Sequence, residues 1–237
     1  MLDVWSNPDN TVIGKRAFGS DWKVVSGFGA AVSNALQAAG VIPVVKHFPG
    51  HGDTVVDSHM GLPVVDKSLE DLSLQELPPF RDLISGGETP SGRAEAVPAV
   101  MVAHILMTQL DPDLPASLSP AVVTDLLRGE LGFGGVVFTD DLTMGAITQN
   151  YGLGEAAVLA VEAGCDMLLV CHGRDSVDAA RSALLEAAAS GRISQARLDE
   201  SVRRILSLKL EYGVSGEPVS APDLNALNAL VDAVAAQ

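Results

Sequence analysis

Residues 41–59, VIPVVKHFPGHGDTVVDSH, decide how this chain is read. Residues 41–47 are few, apolar and β-branched, as a strand buried on both faces requires. The run stops at Lys46-His47, and residues 47–63 continue as a long loop rich in Gly, His and Asp. The same pattern recurs at 99–105 (AVMVAHI), 135–140 (GVVFTD) and 166–172 (DMLLVCH), and residues 2–4 read as the end of another strand. Helical spacing fills the intervals 20–40, 68–84, 119–132, 154–164, 175–189 and 194–212, with a tail helix over 221–236. The prolines of ELPPF predict a break or turn within 68–84, and Ser119-Pro120 predicts an N-cap followed by Pro at the first helical position. Strand and helix alternation predicts parallel βαβ units. Residues 85–97 (SGGETPSGRAEAV) are polar and low in complexity, and are expected to form a mobile surface insertion.

Composition narrows the function classes. The chain has 237 residues, 47% hydrophobic and 19% charged, which suits a soluble globular protein able to bury a core. Thirty acidic against fifteen basic residues give a formal net charge of −15. Nucleic acid and anionic membrane surfaces are therefore not expected as partners, because phosphate binding needs a basic face. No apolar run approaches the roughly 18 residues of a membrane span. The first residues, MLDVWSNPDN, lack a basic start and an apolar stretch, so no signal peptide is read there and a cytoplasmic location is expected. Cys165 and Cys171 share one apolar stretch and read as small core residues, since two cysteines make neither a disulfide framework nor a zinc site.

The informative feature is where the polar residues fall. The strands end in Lys46-His47, in His104, in Thr139-Asp140-Asp141 and in His172. In parallel α/β folds ligands bind at the C-terminal edge of the strands. Singly, a strand-end Asp also reads as a helix cap, and His104 or His172 as a satisfied core histidine. Asp57-Ser58-His59 adds a second pattern. In an extended segment residues i and i+2 share a side, so Asp57 can orient the His59 ring and raise its basicity; a solvated turn is the bland alternative. His47, His51 and His59 do not read as a metal set, because their spacing spans a Pro-Gly loop and no HExxH occurs. There is no GxSxG elbow, GxGxxG fingerprint or P-loop, so no nucleotide or other cofactor is expected.

KHFPGHGDTVVDSH (46–59) and LLRGELGFGGVVFTDDLTMGA (126–146) together resemble glycoside hydrolase family 3, in its single-domain bacterial β-N-acetylhexosaminidase branch. SNPDNTVIGKRAFGSD (6–21), ELPPFRDLI (76–84), VMVAHI (100–105) and AGCDMLL (163–169) add to the likeness, which runs to about residue 214. The resemblance implies a (β/α)8 TIM barrel over 1–214, followed by a tail at 215–237. It also implies that three βα units lie upstream, leaving about five of eight in this chain. It further implies retaining removal of terminal β-linked N-acetylglucosamine, with peptidoglycan-derived muropeptides as the expected source. On the matching positions Asp140 is the nucleophile, His59 the acid/base with Asp57 as its partner, and Arg16, Lys46 and His47 bind the sugar. The alternatives are a family 3 β-glucosidase, which generally takes its acid/base from a carboxylate in another domain, and a non-catalytic sugar-binding fragment. Phosphate in place of water as the acceptor is a minor variant.

Overall fold

The structure, a computed structural model, describes residues 1–89, 92–217 and 221–236. Helix α1 (Trp22–Ala38) starts at Asp21, whose side chain caps the Lys23 amide. It leads into β1 (Val44–Phe48), the long loop, and β2 (Val64–Val65). Ser68 and Asp71 form a reciprocal capping box on α2 (Leu69–Leu74). Pro78 then opens α3 (Pro78–Ser85), so the ELPPF prolines separate two helices. A hairpin of β3 (Gly87–Thr89) and β4 (Gly92–Ala94) precedes β5 (Ala99–Val102) and β6 (Leu106–Met107). A π-helix (Ala121–Glu130) follows Ser119-Pro120, with the Ser119 hydroxyl accepting from Val122 N. Then come β7 (Val136–Asp141), α4 (Gly145–Thr148), α5 (Leu153–Ala163), β8 (Met167–Leu169), α6 (Arg174–Ala189), α7 (Gln195–Glu211) and the tail helix α8 (Leu224–Ala235). Among the described residues no helix is long and apolar enough to cross a membrane.

The strands β1, β5, β7 and β8 form one sheet in that order, every pair parallel. Val45, Val100, Val102 and Val137 are buried in it, and Phe48 meets Phe80 of α3 edge-to-face at 5.3 Å. The N-terminal edge of the sheet is locked by Asp166, whose side chain is fully buried. It accepts from Val137 N at 3.0 Å, Arg128 Nη2 at 2.6 Å, Ser201 Oγ at 2.7 Å and Arg204 Nη1 at 3.1 Å. That leaves the C-terminal edge for chemistry, the division seen in parallel α/β enzymes.

The structure corrects three expectations. Residues 2–4 form no strand: Leu2 N donates to Lys46 O at 2.6 Å, but the ladder stops there because the Asp3 carboxylate takes the His47 amide. The parallel sheet thus has four strands, not about five, and among the described residues it is an open arc. Residues 85–97 are not an unstructured insertion. β3 and β4 pair antiparallel, Asn34 of α1 bonds both Arg93 O and Glu95 N, and Ala94 and Val97 are buried. Glycines at positive φ (Gly86, Gly87, Gly92) give a polar stretch the turns it needs; Pro90 and Ser91 lie outside the described residues.

Candidate active site

A polar cavity of about 80 Å³ opens at the C-terminal edge of the sheet, lined by Arg16, Lys46, His47, Ser58, His59 and Asp140 among others. A roomier hollow of about 570 Å³ lies between β8, α6 and α7, but its walls are mainly Val, Leu, Ile and Ala side chains. The chemistry-bearing residues converge on the small cavity.

Asp140 sits at the end of β7, partly buried, with Oδ1 accepting the Asp141 amide at 2.9 Å. Oδ2 lies 3.9 Å from His47 Nε2, beyond a direct hydrogen bond and close enough for a shared sugar hydroxyl. Among the described residues His47 is its one ion-pair partner within 4.0 Å; Lys46 lines the cavity without reaching that distance. The group beside Asp140 is therefore His47, whose other nitrogen, Nδ1, is bonded to Asp3 at 2.8 Å. Burial pushes the Asp3 carboxyl up, yet the His47 charge and hydrogen bonds with the His51 amide together hold it below its ordinary value. Arg16 reaches the cavity from the short 3₁₀ turn Gly14–Arg16, with Nη1 donating to Val12 O.

The loop pair is also in place. His59 Nδ1 is 2.8 Å from Asp57 Oδ1, which accepts the His59 amide as well at 2.9 Å. The contact is made by a turn, closed by Met60 N and Gly61 N on Asp57 O, and not by the extended segment the spacing suggested. Slight burial raises the Asp57 carboxyl, and the His59 hydrogen bonds more than reverse it, so it sits below its ordinary value. The loop docks on the start of α4, where Gly145 N and Ala146 N donate to His59 O and Ser58 O at 3.2 and 3.0 Å. A Cβ on Gly145 would lie 2.5 Å from His59 O, so the approach needs glycine.

The remaining strand-end residues serve structure. Asp141 caps the turn after β7, taking Thr143 N and Cys171 N on Oδ1 and the Thr143 hydroxyl on Oδ2. His104 is fully buried between Ser117 Oγ (2.6 Å) and Asp141 O (3.0 Å), a satisfied core histidine beneath the site. His172 is exposed, 3.6 Å from Asp141. Cys165 is buried, and burial raises its thiol to about 12; Cys171 is exposed on the rim, which departs from the expected core role. Among the described residues no group of three or more His, Cys, Asp or Glu side chains could hold a metal ion. Sequence reading missed Asp3 and His51. The only signal for Asp3 was a charged residue flanked by Leu2 and Val4 in an apolar stretch.

Burial lowers the basicity of both His104 and His51, so both are neutral when folded at pH 7. Unfolded, each titrates near 6.5. Below that value the unfolded chain binds protons that the folded one does not, so unfolding free energy falls as pH drops from 7 toward 5. The slope for each histidine is at most about 1.4 kcal/mol per pH unit, the value for one whole proton. Urea unfolding of His104→Gln at pH 7 and pH 5 should show a flatter dependence than the parent. Identical slopes would mean that His104 titrates alike in both states.

A carboxylate, a His–carboxylate pair and three further polar side chains thus gather at one rim of a parallel α/β sheet, and comparison with known proteins shows the family that carries them. Residues 1–208 match the glycosyl hydrolase family 3 N-terminal domain, and the chain belongs to that family. A beta-hexosaminidase of Stenotrophomonas maltophilia is 41% identical over 163 residues, 69% of this chain and 46% of that protein. Beta-hexosaminidase LpqI of Mycobacterium tuberculosis is 40% identical over 215 residues, 88% of this chain and 52% of that protein. The solved family 3 beta-N-acetylglucosaminidase of a Paenibacillus species superposes with a TM-score of 0.86 at 48% identity, covering 94% of this chain and 41% of that one. The chain thus spans about half the length of the curated relatives it matches.

Proposed function

We propose that this protein is a retaining glycoside hydrolase that removes terminal β-linked N-acetylglucosamine, with muropeptide-type saccharides as its source, and that its sheet is the arc of a (β/α)8 barrel. The observation that carries the reading is the meeting of Asp140, His47, Lys46, Arg16 and His59 in one cavity, with Asp57 behind His59. Asp140 attacks the anomeric carbon, and a glycosyl–carboxylate ester forms as the bond to the leaving oxygen breaks. His59, held through Nδ1–H by Asp57 and protonated on Nε2 as well, gives that oxygen the Nε2 proton and becomes a neutral imidazole. The same ring then takes a proton from water, which attacks the anomeric carbon and releases Asp140. Arg16, Lys46 and His47 hold sugar hydroxyls, with His47 Nε2 between the sugar and the nucleophile. An imidazole donor avoids a second carboxylate beside an anionic nucleophile.

A nitrophenyl N-acetyl-β-glucosaminide tests the reading. Nitrophenolate release faster than from the matching β-glucoside supports it. Preference for the glucoside points to a β-glucosidase, and a chain that binds N-acetylglucosamine by NMR titration without release is a sugar-binding protein. Either result would overturn the proposal.

A further inference from the structure

Asp3 has no place in the reaction just described. It is fully buried, lies outside the cavity lining and belongs to a segment that forms no strand. Yet its two oxygens serve two parts of the site. Oδ2 meets His47 Nδ1 at 2.8 Å, and both oxygens are 3.2 Å from the His47 amide. Oδ1 also accepts the His51 amide at 2.7 Å. A carboxylate only accepts, so His47 must carry its proton on Nδ1 and turn Nε2 toward Asp140.

The His51 ring continues the path. The Thr54 hydroxyl donates to His51 O, so its oxygen accepts from His51 Nδ1 at 2.7 Å. His51 Nε2 is then left with a lone pair, which accepts the Ser58 hydroxyl at 3.0 Å. Asn10 Nδ2 closes the network on His51 O at 2.7 Å. Ser58 stands between Asp57 and His59, and its carbonyl takes the Ala146 amide. An unbroken hydrogen-bonded path therefore runs from His47, beside the nucleophile, through Asp3 and His51 to the loop that carries the proton donor.

The geometry points to Asp3 as a positioning residue for both reacting partners: one oxygen aims His47 at Asp140, and the other fixes the His59 loop through His51 and Ser58. The inference rests on the roles given above to Asp140 and His59, but its geometry can be tested without turnover. Among the described residues Asp3 is the hydrogen-bonded link between the arms, beside an edge-on contact of the His47 and His51 rings at 5.7 Å, whereas Ser58 lies on the loop arm alone. Cutting the path at Ser58 should loosen the loop and leave His47 untouched; cutting it at Asp3 should disturb both.

The test is amide hydrogen exchange and imidazole NMR on the whole chain. In Ser58→Ala the amides of Met60, Gly61, Gly145 and Ala146 should exchange at least tenfold faster, with Val100 and Val137 unchanged and the His47 ring signals in place. Ser58→Thr, which keeps the hydroxyl, should restore protection. In Asp3→Asn the same loop amides should quicken and the His47 Nδ1 proton signal should shift. If Asp3→Asn does not fold, Asp3→Ser replaces it. Loop exchange unchanged in Ser58→Ala, or an Asp3 variant that shifts His47 while the loop stays protected, would overturn the inference. Where turnover is measured, Ser58→Ala should lower kcat for poor leaving groups with little change in KM. Loop coupling without glycosidase activity would sink the functional reading and leave the positioning role standing.

Discussion

On the proposed function, Asp140→Ala should lower turnover of an N-acetyl-β-glucosaminide by roughly 10⁴-fold or more, the loss expected when a nucleophile is removed and only binding and charge stabilisation remain. Asp140 is the group on the cavity floor with a free carboxylate oxygen. Oδ1 is held by the neighbouring amide, and Oδ2 faces the cavity 3.9 Å from His47. The fold should tolerate the change, because Asp140 is only partly buried and lies near the C-terminal end of β7. Asp141 cannot substitute for it, since both of its oxygens are engaged by Thr143 and one also by the Cys171 amide. A 5-fluoro N-acetylglucosaminyl fluoride should therefore label the parent at Asp140, read by mass spectrometry of the digested chain. Label on Asp141, or an unlabelled Asp140→Ala that keeps its turnover, would falsify the assignment.

His59→Ala produces the second large effect, and its size depends on the leaving group. An alkyl alcohol leaves only with a proton, so alkyl N-acetylglucosaminides should lose about 10²–10⁴-fold, the usual contribution of a positioned acid. A dinitrophenolate leaves without one, so the first step on that substrate should survive. The ester on Asp140 would then wait for a water that no base activates, and added azide should speed its breakdown. Asp57→Ala should act in the same direction with a smaller loss, because Asp57 reaches the substrate only through the His59 ring. Equal loss on both substrates, with no response to azide, would make the loop a sugar contact and not a proton donor.

Much of the architecture was legible because it rests on local pattern. The four parallel strands fall on the apolar runs read as strands, and Ser119-Pro120 announces its helix through short-range capping chemistry. Lys46, His47 and Asp140 were found because parallel strands deliver their ends to one edge. What escaped depends on contacts that spacing does not carry. Asp3 meets His47 across 44 positions of chain and His51 across 48. The Asp57–His59 pair was found by assuming extended backbone, and a turn delivers the same contact. Residues 2–4 read as strand by their flanking apolar side chains, whereas the Asp3 carboxylate captures the amide a ladder would use. The hairpin of β3 and β4 was hidden because its residues are polar and its glycines read equally as turn and as linker.

The anchoring of the His59 loop has a consequence for protein engineering. Its attachments to α4 use main-chain carbonyls of Ser58 and His59, and its tie to the interior uses the Ser58 hydroxyl. The tip residues Val55, Val56 and Met60 are exposed, and their side chains take no part in those attachments. On the proposed function, randomising these three positions should change which leaving groups are favoured while those attachments are left intact. Selectivity and reactivity of the proposed hydrolase would then be separable on one short stretch of chain.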